Sequence, residues 1–173
     1  KNKFITNEQS RKVSHLLRYK NQGILISSKT LNLDNSKLTC RINGIEKYSP
    51  SRIILDKFLK TNKKSFIANT AKDINTYFFY NKGHKQTIKY FKQKGVHLIK
   101  LELNENNQFN FKSILKKVND LGIKNLLVEG GKDITLNFLK HDLFNEFYLF
   151  KSNNKLGKKG RINISNITKK LTS

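Results

Sequence analysis

Glu129, Gly130 and Gly131 lie where a short apolar run meets a helical pattern, and this arrangement can bind a phosphate. The surrounding residues 125–139 have the sequence NLLVEGGKDITLNFL. The first amides of a helix lack intrahelical partners and carry partial positive charge, so they can face a pyrophosphate. Glu129, at the carboxyl end of the predicted strand, can hydrogen-bond a ligand hydroxyl or amine. The alternative is purely structural: the glycines form a sharp turn that needs positive φ, and the tripeptide alone favours this alternative.

Arg18 and Arg41 form a second candidate group in the first quarter of the chain. We expect a capped helix that ends near Arg18, then a strand, then a polar loop that carries Thr30, Asp34 and Arg41. Planar guanidinium groups bind phosphate through paired hydrogen bonds, so two arginines brought together form a phosphate clamp. The alternative is a pair of solvated surface arginines, which the charge pattern alone favours.

Other familiar chemical motifs are absent from the sequence. No dinucleotide-binding G-x-G-x-x-G, Walker phosphate loop or G-x-S-x-G nucleophile elbow is found. Cys40 is the single cysteine, which excludes an internal disulfide and a cysteine-based metal site and predicts a reducing, cytoplasmic compartment. No apolar run approaches the roughly 18 residues of a membrane span. The histidines show no metal-ligand spacing and are predicted to be surface or structural residues: His15, His84, His97 and His141.

The net charge of +23 is the strongest compositional feature. Such a charge suits nucleic-acid binding through phosphate neutralisation, which we keep as an alternative function. However, only five of the 35 basic residues are Arg, the side chain best suited to reading bases. The lysines are spread along the whole chain together with many Asn and Ile residues, which indicates a general substitution bias. A positive field also attracts small phosphorylated ligands, so charge alone does not decide between these functions.

Strand-like and helical segments alternate along the chain. This rhythm predicts a single α/β domain with a largely parallel sheet. A capping box at Thr6 and Gln9 predicts the first helix, and Gly95 and Gly122 are expected to end two later ones. Strands are predicted at GILIS (23–27), RIILD (52–56), SFIAN (65–69), TYFFY (76–80), HLIKLEL (97–103), NLLVE (125–129) and EFYLF (146–150). Later helices are predicted at 85–94, along the stripe Phe111, Ile114, Leu115, Val118 and Leu121, and around Ile134, Phe138 and Leu139.

Seven short motifs occur in an order that resembles the reductase domain of riboflavin biosynthesis. They are FIT (4–6), LLR (16–18), GILISS (23–28), T-x-x-x-D (30–34), L-T-x-R (38–41), RIILD (52–56) and EGG (129–131). The resemblance implies the fold of dihydrofolate reductase, a largely parallel mixed sheet flanked by helices. It also implies NADPH as cofactor, a homodimer, and a phosphorylated aminopyrimidine as substrate. The implied reaction converts the ribosyl side chain of 5-amino-6-(5-phosphoribosylamino)uracil to the ribityl form.

The resemblance also assigns site residues by position. Phe4 stands where the family has a Trp near NADPH, and Asn2 stands where it often has a substrate-contacting Ser. No residue is assigned as a catalytic acid or base. The other implied cofactor contacts are Thr30, Asp34 and the turn Gly131, Lys132, Asp133 and Ile134. The other implied substrate contacts are Arg18, Leu38, Arg41 and Glu129.

The sequence departs from the family pattern at several points. Lys57 follows Asp56 where the family commonly has Ser, and we consider it a partner for the 2′-phosphate of NADPH. The family's S-L-D-G-K strand and its final strand are not found, so 1–173 is expected to be a single reductase domain that lacks its first and last strands. The zinc signatures of the deaminase that usually accompanies this domain are absent too. Because the two strands are missing, a non-catalytic remnant of the same fold is a further alternative.

Overall fold

A parallel sheet forms the centre of the molecule. The computed structural model describes residues 8–150. Its strands are β1 (Gly23–Ser27), β2 (Ser51–Leu55), β3 (Thr76–Tyr80), β4 (His97–Lys100) and β5 (Leu126–Val128). They lie in the order β4-β3-β2-β1-β5, and every strand pair in this part of the chain is parallel. The predicted α/β class is confirmed.

Helices connect the strands, as parallel pairing requires. They are α1 (Glu8–Lys20), α2 (Ser28–Asp34), α3 (Phe66–Asn69), α4 (Lys85–Gln93), α5 (Phe111–Asp120) and α6 (Lys132–Lys140). A short 3-10 turn, Glu46–Tyr48, lies between α2 and β2. None of the helices in residues 8–150 is long and apolar enough to cross a membrane.

The sheet is buried on both faces because successive side chains of a strand point to opposite sides. On β1, Ile24 and Ile26 pack against α2, α3 and α4, whereas Leu25 packs against α5 and α6. On β3, Phe78 and Phe79 divide between the same two faces, and both are fully buried. This two-sided burial explains why the strands are continuous apolar runs.

The glycines predicted to end helices do so. Gly95 follows α4 with φ +87°, and Gly122 follows α5 with φ +80°. These values lie in the left-handed region that glycine adopts without a steric penalty. At its other end, α5 is capped by Asn110, whose side chain accepts a hydrogen bond from the amide of Ser113. The capping residue proposed for α1, Thr6, lies outside the described residues.

Four segment assignments made from the sequence are corrected by the structure. Most of the segment 65–69 is the helix α3 instead of a strand, because Ser65 caps this helix by accepting a hydrogen bond from the amide of Ala68. The loop expected to carry Thr30 and Asp34 is largely the helix α2, which Ser27 caps in the same way. Residues 146–150 form no strand within the described chain, and their side chains are exposed. The strand expected over 97–103 ends at Lys100, opposite the end of β3.

Candidate active site

The carboxyl ends of β1 and β5 bring the predicted site residues to one edge of the sheet. The two strands pair in register up to Leu25 and Val128, and the amide of Glu129 then donates to the carbonyl of Leu25 at 3.0 Å. Glu129 therefore leaves the sheet beside the last residues of β1. In open α/β sheets this edge is where ligands bind.

Arg18 and Glu129 form a paired ionic contact at this edge. Nε of Arg18 donates to Oε1 of Glu129 at 2.7 Å, and Nη2 donates to Oε2 at 2.9 Å. The side chains are 12% and 29% exposed, so the pair is partly shielded from water. Two parallel charge-assisted hydrogen bonds fix both groups in orientation as well as distance. The contact joins the last turn of α1 to the end of β5.

The segment after α2 provides a third anchor for Arg18. Nη1 of Arg18 donates to the carbonyl of Thr39 at 3.1 Å. The preceding residue, Leu38, is fully buried with φ +55°. A left-handed conformation costs a residue with a side chain roughly 1–2 kcal/mol, and the burial of Leu38 helps to maintain it. Leu38, a predicted substrate contact, thus adjoins the carbonyl that holds Arg18.

His15 belongs to the same cluster, which the sequence analysis did not foresee. Its Nδ1 lies 3.2 Å from the carbonyl oxygen of Thr39. Burial lowers the pKa of His15 below its ordinary value, and the charges of Arg18 and Arg41 lower it further. The Thr39 carbonyl and the Glu129 carboxylate act in the opposite direction. The spacing of His15 and Arg18, three residues apart on one helix, was the available signal.

Arg41 lies close enough to this cluster for its charge to act on His15, although its side chain is exposed. Arg41 also follows Thr39, whose carbonyl Arg18 contacts, by two residues. Arg18 is anchored by its neighbours, whereas Arg41 faces solvent. The structure thus combines a fixed guanidinium with an accessible one.

The Gly130–Gly131 turn contacts the start of α2. A Cβ built on Gly131 would lie 2.9 Å from Oγ1 of Thr30, and one on Gly130 would lie 2.9 Å from Oγ1 of Thr135. Gly131 has φ −74°, and neither glycine has positive φ. The turn therefore needs glycine for close approach, and the expectation that it needs positive φ is wrong.

The remaining predicted cofactor residues lie on two helices. Lys132, Asp133 and Ile134 form the first turn of α6, and the side chain of Ile134 is buried in the core. Only the backbone of Ile134 can therefore face a ligand. Asp34 is exposed at the last position of α2, one turn beyond Thr30. Asn2 and Phe4 lie outside the described residues.

Lys57 contacts the loop before α5. Its Nζ donates to the carbonyl of Asn107 and lies over the ring of Phe58. A different lysine pair, Lys29 and Lys60, lines a cavity of about 380 Å³ beside α2, together with Ser28, Asn32 and Leu33.

The loop that carries Lys60 is fixed by a buried carboxylate. Asp56 accepts from the amides of Lys60 at 2.8 Å and Thr61 at 2.7 Å. Asn32 of α2 donates to the carbonyl of Lys60 at 2.9 Å and accepts from the amide of Asn62. These bonds hold the loop against α2, beside the open cavity that Lys29 and Lys60 line.

The fold defines a dihydrofolate reductase-like α/β protein, and its candidate site lies at the carboxyl edge of the sheet. The chain belongs to the RibD C-terminal domain family, whose model matches residues 1–171. It is similar to the riboflavin biosynthesis protein RibD of Aquifex aeolicus (strain VF5), with 36% identity over 148 residues, 86% of this chain and 39% of that protein. It is also similar to the 2,5-diamino-6-ribosylamino-4(3H)-pyrimidinone 5′-phosphate reductase of the same strain, with 26% identity over 84% of this chain and 62% of the relative. The chain thus spans about two fifths of the RibD protein that it matches.

Solved structures show the same fold. Acinetobacter baumannii RibD (form 1) superposes with a TM-score of 0.67 at 16% identity, covering 94% of this chain and 46% of that one. A deaminase/reductase from Thermotoga maritima gives a TM-score of 0.61 at 24% identity, covering 80% and 36% of the two chains. The dihydrofolate reductase-like architecture expected from the sequence is confirmed.

Proposed function

We propose that this chain is an NADPH-dependent reductase of riboflavin biosynthesis. Its substrate is the phosphorylated aminopyrimidine 5-amino-6-(5-phosphoribosylamino)uracil, whose ribosyl side chain it reduces to the ribityl form. The observation that carries the proposal is the paired contact of Arg18 with Glu129, beside Arg41, at the ligand-binding edge of the sheet. Membership in the RibD C-terminal domain family supports the same function.

On the substrate side, Arg18 and Arg41 bind the phosphate. Arg18 uses three of its N–H groups for Glu129 and Thr39, which leaves two of the five free to donate to a phosphate. Each oxygen of Glu129 accepts one hydrogen bond from Arg18 and has a further lone pair for a sugar hydroxyl. Leu38 and Asn2 complete the proposed substrate contacts, the latter by resemblance to the family.

On the cofactor side, the start of α6 and the turn before it approach the NADPH pyrophosphate. The absence of a side chain on Gly131 leaves room between α6 and Thr30, and the first amides of α6 are available to an anion. Asp34 and Phe4 are further proposed cofactor contacts. The 2′-phosphate is the group that distinguishes NADPH from NADH. Since Lys57 is bound to Asn107, Lys29 and Lys60 are the proposed partners of that phosphate.

The reaction needs orientation more than acid–base chemistry from the protein. When bound, NADPH supplies a hydride to the ribose carbon that is bonded to the amine, in the ring-opened, imine-like form. The chain's part is to hold the sugar phosphate and the nicotinamide next to each other. No side chain is assigned as the proton donor, and solvent or the substrate's own groups supply the proton.

The organisation of the active unit is also part of the proposal. One sheet with a core on each face supports a single reductase domain. The homodimer rests on resemblance to the family, and light scattering of the purified protein tests it.

The test of the function is direct. The purified chain is mixed with NADPH and the aminopyrimidine phosphate, and the product is identified by mass spectrometry. We expect NADPH oxidation coupled to a product that carries two more hydrogens. A folded protein that binds neither ligand would contradict the proposal and would favour the non-catalytic remnant.

A further inference from the structure

His15 and Arg18 converge on one carbonyl oxygen. Nδ1 of His15 lies 3.2 Å and Nη1 of Arg18 lies 3.1 Å from the oxygen of Thr39. A carbonyl oxygen only accepts hydrogen bonds, so Nδ1 of His15 carries the hydrogen. Nε2 is then the unprotonated nitrogen and the position at which the ring can take up a proton.

The charged groups that act on His15 come from three parts of the chain. Arg18 lies on α1, Arg41 on the segment after α2, and Glu129 at the end of β5. The two cations oppose a further positive charge on the ring, and its burial does the same. A bound anion would reverse this balance, because its negative charge favours the protonated ring.

We propose that His15 is a third cationic partner of the substrate phosphate, and that its Nε2 takes up one proton from solvent when the phosphate binds between Arg18 and Arg41. This inference rests on the proposed function, because that function places a phosphate at the two arginines. His15 then acts as a positioning residue. In the free protein the ring is neutral and holds the carbonyl of Thr39. In the complex the ring is charged and adds to the positive field on the phosphate. The reaction at the ribose carbon does not involve it.

The effect on affinity follows from Coulomb's law. An added charge several ångströms from a phosphate, at the intermediate dielectric of a partly buried site, strengthens binding by roughly 3- to 30-fold. The gain is greatest below neutral pH, where the proton is readily supplied, and declines as pH rises. The apparent affinity for the phosphate should therefore fall with rising pH more steeply in the wild type than in a variant without the imidazole.

Proton uptake can be measured by calorimetric titration with ribose 5-phosphate as the probe. The observed heat is compared at one pH, near neutrality, in buffers with different ionisation enthalpies, and the slope gives the protons taken up. His15→Gln keeps a donor for the Thr39 carbonyl but does not titrate. The phosphate itself titrates with a pKa of about 6, so the difference between the wild type and His15→Gln is the informative quantity. His141→Gln, at the exposed end of α6, is the matched control.

We expect the wild type and His141→Gln to take up more protons than His15→Gln, and His15→Gln to bind roughly 3- to 30-fold more weakly. Equal proton uptake in His15→Gln and the wild type would overturn the inference about His15. It would not contradict the proposed phosphate site at Arg18 and Arg41. Failure of ribose 5-phosphate to bind the wild type, or unchanged binding in Arg41→Ala, would overturn the phosphate site and the inference with it. Thermal unfolding checks that each variant is folded, and His15→Asn replaces His15→Gln if the latter is not.

Discussion

Gly131 packs so closely against Thr30 that a Cβ on the glycine would lie 2.9 Å from the threonine Oγ1. The contact joins the turn before α6 to the first turn of α2, and hence the two predicted cofactor segments. Because φ of Gly131 is −74°, alanine fits the backbone, and any penalty is steric.

Gly131→Ala should weaken NADPH binding by roughly 10-fold or more, because the new methyl group displaces Thr30 or narrows the space beside α6. Thr30→Ala in the same molecule removes the clashing atom. Compared with Gly131→Ala, the double variant should be more stable to heat. It should not bind NADPH more tightly, since Thr30 is itself a proposed cofactor contact. Unchanged NADPH affinity in Gly131→Ala would show that this turn does not contact the cofactor.

The cavity beside α2 predicts which lysines select NADPH over NADH. Lys29→Ala and Lys60→Ala should each reduce the preference for NADPH by roughly 3- to 10-fold, and less at high salt, since these lysines line the cavity. Lys57→Ala serves as the control, because Lys57 is engaged with Asn107. The measurement is the ratio of the dissociation constants for the two cofactors. If Lys57→Ala were the only variant to lose the preference for NADPH, the 2′-phosphate would bind at Lys57, as expected from the sequence.

Unlike Arg18 and Arg41, which lie in the candidate site, Arg52 has a structural role. Its fully buried guanidinium donates to Oγ1 of Thr76, to Oγ1 and the carbonyl of Thr70, and to the carbonyl of Ile74. Burial lowers its pKa to about 10. Arg52→Ala removes four hydrogen bonds and a large buried side chain, although the carbonyls of Thr70 and Ile74 keep their other donors, so we expect a loss of about 2–4 kcal/mol in the free energy of unfolding. Urea denaturation measures it, and a loss well below about 1 kcal/mol would mean that water replaces the guanidinium.

The sequence predicted most of the sheet and much of the helical layer for identifiable reasons. The apolar runs of β1, β2 and β3 are continuous because both faces of the sheet are covered. The stripe of α5 has helical period and clear caps. Residues 65–69 were misassigned because a short apolar run fits a strand or a helix equally well, and the cap at Ser65 decides between them. Residues 146–150 have strand-like composition, but a strand also needs a partner, which composition does not reveal.

The sequence did not reveal which distant residues of the site contact each other. The family resemblance implies that Arg18 and Glu129 are each ligand contacts, but nothing in the local sequence shows that they bind each other. The role of Gly131 also depends on Thr30, which approaches only in the folded chain. The sequence shows only that His15 lacks metal-ligand spacing, whereas its position one turn before Arg18 places it in the cluster.

The proposed function depends most on the assignment of Arg41 to the substrate phosphate, and Arg41→Ala tests that assignment. A charge-assisted hydrogen bond contributes roughly 1.5–3 kcal/mol, so kcat/KM should fall by roughly 10- to 150-fold. Much of the loss should appear in KM, because the phosphate is remote from the reacting carbon. Arg41→Lys should recover only part, because an ammonium group does not make the paired contact.

The most direct measurement compares the two ligands on the same variant. Calorimetry of Arg41→Ala with NADPH alone, and then with the aminopyrimidine phosphate or ribose 5-phosphate, reports each affinity separately. We expect NADPH affinity close to that of the wild type and sugar phosphate affinity reduced by roughly 10-fold or more. Loss of NADPH binding with intact sugar phosphate binding would contradict the account, because it would reverse the assignment of the two sites.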